Sequence, residues 1–316
     1  MKRLLLGNEA LAQGAIDAGI SGVYAYPGTP STEITEYIQR SKTAEELGIH
    51  SAWSVNEKTA METALGMSYA GKRAMVVMKH VGLNVAADVF MNMSVSGING
   101  GLVVVVADDP SMHSSQNEQD SRYYGRFAMI PILEPTNQQE CYEITKSAFQ
   151  LSEKAGLPIM IRLVTRLSHS RAGVEIGERR TQNDISLPSN PTQFQLIPLY
   201  ARKQYQHLVD IQPDNRESSE NSYYNKYFDA KDKSMGIVAA GIAYNYLMEN
   251  YEDGNCPYPV LKISQDPLPK TRIKKLFDDC EKILVLEDGY PFIEEIISDF
   301  LSENRNVIGR LSGHVN

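Results

Sequence analysis

Short runs of apolar and β-branched residues alternate along the first half of the chain with longer stretches in which apolar residues recur every three or four positions. The runs are typical of strands buried in a sheet, and the stretches are typical of amphipathic helices. This alternation predicts an α/β fold with a parallel sheet. The predicted strands are 22–26, 50–55, 74–79, 102–107 and 158–164, and the predicted helices are 8–19, 31–40, 57–70, 84–98 and 137–155.

The pattern changes at about residue 171, where polar residues begin to dominate. We interpret residues 171–234 as a crossover linker that contains one helix at 200–209. A second, shorter α/β pattern comes after it, so we predict two domains, residues 1–170 and a smaller one at 235–316. The second pattern predicts strands at 235–241, 258–263 and 282–289 and helices at 242–250, 270–279 and 291–303.

The composition is that of an ordinary globular protein. Of 316 residues, 42% are hydrophobic and 22% are charged, and the formal net charge is -8. This acidity argues against nucleic acid or an anionic membrane surface as a partner. The first apolar run is too short for a signal peptide, and no run approaches the roughly 20 apolar residues of a membrane span. Three scattered cysteines argue against a metal cluster, and we expect reduced thiols and a cytoplasmic location.

Polar stretches come directly after four of the predicted strands, at 27–32, 56–58, 80–84 and 108–111. Ligands of open α/β sheets bind outside the carboxyl ends of the strands, so we expect these stretches to converge on one edge. In the first stretch, Thr29 fits a helix N-cap with Pro30 at the first helical position, and the free amides of such a turn favour an anion. Cap signatures are commoner than ligand sites, so plain capping is the alternative.

Glu57 has two interpretations from the sequence. Ser54-x-x-Glu57 has the spacing of a capping box, in which the glutamate carboxylate returns to the N-cap amide. Against this, Glu57 lies at a predicted strand-to-helix junction and is followed by Ala60 and Ala64 on its helix face. A carboxylate among small apolar neighbours loses solvation, which raises its pKa and suits it to proton exchange.

Other polar residues near this edge are also ambiguous. His80 and Asn84 come at the start of a predicted helix, where a structurally satisfied polar residue is the simpler explanation. Residues 107–135 form a long polar loop, and loops of that length are usually functional or disordered. Arg122 in this loop has the planar guanidinium that binds carboxylates, although a surface ion pair is its commoner use. P-loop, nicotinamide-binding G-x-G-x-x-G and G-x-S-x-G motifs are absent from the sequence.

Three segments together carry a family resemblance: "LLLGNEALAQGAIDAGISGVYAYPGTPSTEI", "VNEKTAMETALGMSYAGKRAMVVMKHVGLNVAAD" and "HSSQNEQDSRYYGRFAMIPILEP". They resemble the alpha subunits of indolepyruvate:ferredoxin oxidoreductases, which belong to the thiamine-diphosphate-dependent 2-oxoacid:ferredoxin oxidoreductase superfamily. The resemblance implies a pyrimidine-binding (Pyr) domain at 1–170. The later segments "MGIVAAGIAYNYL", "EDGYPFIEEII" and "GRLSGHV" resemble the smaller transketolase C-terminal-like domain of those subunits.

The resemblance also implies roles for individual residues. Glu57 takes the place of the catalytic glutamate that hydrogen-bonds N1′ of the aminopyrimidine ring, and this bond promotes proton transfer by the cofactor. Thr29 and Arg122 take the places of residues that contact the 2-oxoacid, Arg122 with its carboxylate. The implied cofactor-binding residues are Glu57, Gly28, His80 and Asn84.

The end of the sequence departs from the pattern of that family. The full-length subunits continue with a diphosphate-binding domain, which holds Mg²⁺ through a G-D-G motif, and a cysteine-rich tail for 4Fe-4S clusters. Neither feature occurs here. We therefore expect this chain alone to be inactive and to share thiamine diphosphate with a partner, either the other half of a longer chain or a separate chain.

The expected activity is oxidative decarboxylation of an aryl pyruvate such as indolepyruvate, with coenzyme A and ferredoxin as co-substrates, in an oligomer that includes a gamma/beta-type subunit. We also expect an exposed apolar surface near Glu57 where the partner binds. Two alternatives remain from the sequence. The enzyme could act on another 2-oxoacid, branched-chain or pyruvate, or the chain could be a noncatalytic assembly module.

Overall fold

The computed structural model describes residues 2–190, 192–300 and 306–309. The chain divides into two compact units, Met1–Gln212 and Pro213–Asn316. This division lies inside the segment predicted to be a linker. The domain boundaries at 170 and 234 stay a prediction. The segment between them is not a bare linker, since it contains strands and helices of its own.

The first unit is built on a parallel sheet, as predicted. Its strands are β1 (Lys2–Leu6), β2 (Gly22–Ala25), β3 (His50–Trp53), β4 (Ala74–Lys79), β5 (Leu102–Asp108), β6 (Ile132–Leu133), β7 (Ile159–Val164) and β8 (Arg171–Glu175). Within this unit, the strands of the sheet have the order β6-β7-β5-β4-β2-β3 and run parallel. Separately, β1 pairs antiparallel with β8.

Helices cover both faces of this sheet. They are α1 (Gly7–Asp17), α2 (Thr32–Arg40), α3 (Lys42–Glu46), α4 (Glu57–Tyr69), α5 (His80–Ser96), α6 (Arg122–Ala128), α7 (Gln138–Ala155), α8 (Thr165–His169) and α9 (Pro198–Asp210). α9 confirms the helix predicted at 200–209. α5 begins four residues earlier than the predicted 84, because the chain passes from β4 into the helix without a loop.

The core of the first unit lies on the central strands. Every residue of β5 is buried, as are five of the six residues of β4. Apart from Lys79 and Asp108 at their ends, both strands are apolar runs, as expected for strands that are covered on both faces. Met61 of α4 and Phe90 of α5 are fully buried in the cluster on one face. This packing fixes the starts of α4 and α5 relative to the ends of the strands before them.

Residues 176–186 run along the edge of the first unit where the parallel strands begin. The Arg180 amide donates to the Asp17 carbonyl at 2.9 Å, and the Ser186 amide donates to the Ala70 carbonyl at 2.9 Å. Asp17 ends α1 and Ala70 caps α4, the helices that lead into β2 and β4. This polar segment therefore packs on the first unit although its sequence suggested a linker.

The second unit is a smaller α/β structure. Its strands are β9 (Lys226–Phe228), β10 (Gly236–Ala240), β11 (Val260–Ile263), β12 (Gln265–Asp266), β13 (Lys282–Leu286) and β14 (Asn306–Ile308). The sheet order is β14-β13-β10-β11-β9, parallel except for β9. Its helices are α11 (Ile242–Met248), α12 (Lys270–Asp279) and α13 (Phe292–Phe300), and α10 (Gln212–Glu220) precedes them. Residues 301–303 of the predicted last helix lie outside the described residues.

No helix in the described ranges is both long enough and apolar enough to span a membrane.

Candidate functional site

The strand order of the first unit reverses at β2. The chain goes from β2 to β3 on one side and then crosses to β4 on the other side. Such a switch point opens a crevice at the carboxyl ends of the strands, where α/β proteins bind ligands. Gly28 lies just after β2, Glu57 after β3 and His80 after β4, and Asp108 ends β5. The structure therefore confirms that the four polar stretches share one edge, which we call the carboxyl edge.

Glu57 is the first residue of α4, and it is 9% exposed. The N-cap of this helix is Asn56, whose side-chain oxygen accepts a hydrogen bond from the Thr59 amide at 2.9 Å. The capping-box interpretation of Ser54 and Glu57 is therefore wrong. Asn56 is the N-cap because α4 begins at Glu57, so its side chain is the one within reach of the free amides of the first turn. Glu57 is thus not used to close the helix end.

We expect Asn56→Ala to lower the free energy of unfolding by about 1 kcal/mol, because the Thr59 amide loses its acceptor. Ser54→Ala is the matched control and should leave the free energy of unfolding unchanged. Denaturant unfolding followed by circular dichroism measures both changes. A larger loss for the Ser54 variant would mean that Ser54 caps α4 after all.

The Glu57 side chain packs directly against Gly82 in the first turn of α5. A Cβ atom at position 82 would lie 2.5 Å from Glu57 Oε1 and 2.6 Å from its Cγ. Only glycine leaves room for the carboxylate there. Among the hydrogen bonds and ion pairs of the described residues, none involves the Glu57 carboxylate. The carboxylate is therefore largely covered by this chain and free of a hydrogen-bond partner among the described residues.

Gly28 and Thr29 form a turn that differs from the prediction. α2 begins at Thr32 with Ser31 as N-cap, so the expectation that Thr29 caps the helix is wrong. The Ser31 amide and hydroxyl both donate to the Gly28 carbonyl, at 2.8 and 2.7 Å, and the Gly28 amide donates to the Thr32 hydroxyl at 3.0 Å. These bonds use the Gly28 amide inside the turn. Thr29 itself is exposed at the carboxyl edge.

His80 and Asn84 hold the loop that comes after β5. His80 is 1% exposed, and its Nε2 lies 3.1 Å from the Asn117 carbonyl oxygen. Its Nδ1 is buried and has no hydrogen-bond partner. The exposed Asn84 donates to the Gln119 side chain at 3.0 Å and accepts from the Tyr124 hydroxyl at 2.6 Å. Their contact with a cofactor stays a prediction.

Arg122 lies in the protein interior. It is 2% exposed, and its Nε donates to both carboxylate oxygens of Asp120, at 2.9 and 3.1 Å. Its Nη1 lies 3.7 Å from Glu134. The guanidinium is thus covered and paired with acidic residues of this chain. That Arg122 binds the substrate carboxylate stays a prediction, and in this structure its guanidinium lies against Asp120 and Glu134.

Arg122 belongs to a buried charge cluster centred on Arg162, which is fully buried. Arg162 contacts Asp108 at 2.6 Å and Glu134 at 2.6 Å. Burial lowers the pKa of Arg162, but the Asp120, Glu134 and Asp108 carboxylates together raise it well above its ordinary value. The cluster thus joins three carboxylates to two guanidinium groups, and it fixes the end of β5 and the start of α6.

The acidic members of this cluster titrate differently. Burial raises the pKa of Asp108. For Asp120, the Arg122 and Arg162 charges outweigh burial and lower the pKa to about 2. Nearby, burial raises the pKa of Asp109, but hydrogen bonds from Thr165 and from the Ser114 amide prevail and bring it to about 2. An ionised Asp109 therefore links the loop after β5 to the start of α8.

Lys79 is a residue of the carboxyl edge that the sequence interpretation missed. It is the last residue of β4, half-buried, with its side chain lying against Gly28. Its Nζ is 3.4 Å from the Ser115 hydroxyl. The available signal was a lysine that closes the otherwise apolar strand "AMVVMK" at the ligand edge.

Apolar side chains are exposed on segments next to this edge, although Glu57 itself is only 9% exposed. Val55, after β3, is 79% exposed, and Phe127, in α6, is 78% exposed. The others are Tyr26, Trp53, Val85 and Met112. Exposed apolar groups of this size are typical of a surface that another protein covers when they adjoin one another. We call these six residues the apolar rim.

In residues 2–190, 192–300 and 306–309, no three His, Cys, Asp or Glu side chains are grouped so that they could hold a metal ion.

A family model and a curated relative both assign this chain to one family of oxidoreductases. The family described as pyruvate flavodoxin/ferredoxin oxidoreductase, thiamine diP-bdg, matches residues 13–234. The indolepyruvate oxidoreductase subunit IorA of Archaeoglobus fulgidus is 42% identical over 99% of this chain. The alignment covers 51% of that subunit, so the chain spans about half the length of its relative.

Two solved structures show the same fold. A 2-oxoglutarate:ferredoxin oxidoreductase from Magnetococcus marinus matches with a TM-score of 0.77 and 16% identity, over 98% of this chain and 62% of that one. A split gene transketolase in an inactive β4 tetramer matches with a TM-score of 0.62 and 12% identity, over 96% of this chain and 88% of that one. At these identities the similarity concerns the fold.

Proposed function

Because this chain belongs to the thiamine-diphosphate-binding family of pyruvate flavodoxin/ferredoxin oxidoreductases, we propose that it forms the pyrimidine-binding part of an indolepyruvate:ferredoxin oxidoreductase. The complete enzyme would convert an aryl pyruvate and coenzyme A into an acyl-CoA and CO₂, and would pass two electrons to ferredoxin. The name of the Archaeoglobus fulgidus relative supports the choice of indolepyruvate. An oxidoreductase for a branched-chain 2-oxoacid or pyruvate is the alternative.

One observation carries this proposal: the Glu57 carboxylate lies at the switch point of the sheet, pressed against Gly82 and without a hydrogen-bond partner among the described residues. A largely covered carboxylate can exchange a proton with a ring nitrogen when one is presented to it. Its surroundings therefore fit the aminopyrimidine of thiamine diphosphate. When bound, that cofactor supplies the electron sink for loss of CO₂ from a 2-oxoacid.

The residues of this chain would then share the remaining tasks. Glu57 holds or releases a proton at the pyrimidine N1′ position, and Gly82 keeps the space in which it does so. His80 and Asn84 hold the loop after β5 beside the site through Asn117 and Gln119. Thr29 is exposed at the carboxyl edge and would contact the 2-oxoacid there.

We further propose that the apolar rim binds the diphosphate-binding domain, which completes the site. That domain would carry Mg²⁺ and the 4Fe-4S clusters, and a gamma/beta-type subunit would complete the oligomer. A cytoplasmic location is part of the same proposal. Residues 1–170 would act as the Pyr domain and 235–316 as the transketolase C-terminal-like domain. Within this scheme, the chain supplies the proton-exchanging half of a shared site.

Viologen reduction by the complete enzyme, with coenzyme A and a series of 2-oxoacids, tests this function under anaerobic conditions. We expect kcat/KM to be highest for aryl pyruvates such as indolepyruvate, and lower for pyruvate and branched-chain acids. A preference for one of the latter would select the alternative oxidoreductase. An assembly that retains no thiamine diphosphate and reduces no viologen with any 2-oxoacid would instead identify a noncatalytic module.

A further inference from the structure

Lys79 occupies an unusual position at the carboxyl edge. It ends β4, and α5 begins at the next residue, so its backbone is fixed by a buried strand on one side and a helix on the other. Its side chain passes over Gly28: a Cβ atom at position 28 would lie 2.9 Å from Lys79 Cδ and 3.1 Å from Cγ. Because Gly28 has no side chain, the Lys79 side chain can lie directly against it.

The Lys79 ammonium has no counterion among the described residues. It contacts the neutral Ser115 hydroxyl, at 3.4 Å. Two neighbouring cations differ from it in this respect, since Lys58 lies 3.7 Å from Asp88 and Arg122 is paired with Asp120. A half-buried ammonium has lost part of its hydration. The electrostatic attraction between it and an approaching anion is therefore stronger than at an exposed lysine.

The start of α5 adds to this preference for an anion. Lys79 is the N-cap residue of this helix, and its side chain makes no capping bond. The 17-residue helix directs the positive end of its dipole and its first unpaired amides toward the carboxyl edge. Its first turn also contains Gly82, which contacts Glu57. The start of α5 therefore fixes the position of Lys79 and also contacts Glu57, the candidate proton donor.

We infer that Lys79 binds the carboxylate of the 2-oxoacid, with the exposed Thr29 beside it, in the role that the family resemblance implied for Arg122. This inference rests on the proposed function. An ammonium in this place holds the carboxylate end of the substrate while the carbonyl carbon faces the cofactor. The diphosphate of the cofactor is an anion of similar chemistry, and the experiment must separate the two.

Lys79→Met, made in the complete enzyme, is expected to raise KM for the 2-oxoacid by about 10- to 100-fold, as for loss of a hydrogen bond to a charged group. The change in kcat should be small, and Lys79→Arg should recover most of the affinity. Lys154→Met is the control, since Lys154 is exposed at the end of α7. The dissociation constant of thiamine diphosphate should stay unchanged.

A second measurement does not depend on turnover. The inhibition constants of a carboxylate substrate analogue and of its primary amide are compared in the wild-type and variant enzymes. The wild type should prefer the carboxylate, and this preference should disappear in Lys79→Met. Lys79→Gln provides the same comparison if the methionine variant fails to fold.

Three results would overturn the inference. One is a KM within about twofold of wild type in the Lys79 variants. Another is a preserved preference for the carboxylate analogue. A third is weaker binding of thiamine diphosphate at unchanged KM, which would assign Lys79 to the diphosphate. If the wild-type enzyme turns over no 2-oxoacid, the proposed function fails and this inference falls with it, whereas normal wild-type turnover confines the failure to Lys79.

Discussion

Glu57→Gln is expected to lower kcat of the complete enzyme by about 10²- to 10⁴-fold, the range for loss of a positioned general acid or base. Glutamine keeps the shape of the side chain, so it still fits against Gly82, but its amide cannot exchange a proton with a ring nitrogen. Steady-state viologen reduction with the preferred 2-oxoacid measures this loss. Thiamine diphosphate binding should weaken much less than kcat falls, because the packing is preserved.

Glu62→Gln is the matched control, because Glu62 is exposed on the same helix and lies 3.9 Å from Lys58. This variant should retain wild-type kcat. Gly82→Ala provides an independent check, since its methyl group would occupy the position of the Glu57 carboxylate. Full activity of Glu57→Gln would rule out proton exchange by this residue. Full activity of Gly82→Ala alone would show that the carboxylate has another productive position.

Arg162→Met should lower the free energy of unfolding by about 3–5 kcal/mol at neutral pH, as for a broken buried ion pair. The variant leaves Asp108, Asp120 and Glu134 buried together with Arg122 as the remaining cation of the cluster. The difference in the free energy of unfolding between wild type and Arg162→Met should be smaller at acid pH. The pKa of Asp120 is lowered to about 2, so its stabilising charge is present above the unfolded pKa near 4 and is lost as the pH falls through 2.

Denaturant unfolding at several pH values measures this effect. Arg166→Met is the control, since Arg166 is exposed four residues later, and we expect a change within about 0.5 kcal/mol. A loss below about 1 kcal/mol for Arg162→Met would show that the carboxylates accept protons at little cost. The cluster would then be a neutral network in which the ion pairs matter little.

The sequence predicted the central sheet closely because buried parallel strands have a strong signal. β4, β5 and β7 are largely apolar, interrupted only by Arg162 within β7 and by the terminal Lys79 and Asp108, and the predicted bounds agree with the structure within one residue at either end. β1 and β8 were missed because they are short and partly exposed. Each of them becomes a strand only by pairing with the other, and no local pattern reports a partner about 170 residues away.

The candidate site was predicted in position but only partly in detail. Glu57 was found because a strand-to-helix junction is visible in the sequence. The choice between Ser54 and Asn56 as the cap was not visible, because both residue types are good caps and the outcome depends on where the helix begins. The burial of Arg122 was invisible for a different reason. Arg122 contacts Asp120 and Glu134, and both of these carboxylates also contact Arg162, which only the folded sheet brings to them.

The pairing of β1 with β8 has a consequence for synthesis of the chain. Lys2 pairs with Glu175, and Leu6 pairs with Arg171. Because translation proceeds from the amino terminus, the first strand leaves the ribosome long before its partner exists. During that interval its unpaired backbone and apolar residues could aggregate with other nascent chains, since unpaired strands associate readily. Lys2 and Arg3 at the start of this strand are both cationic, so copies of the strand repel one another, which opposes this aggregation.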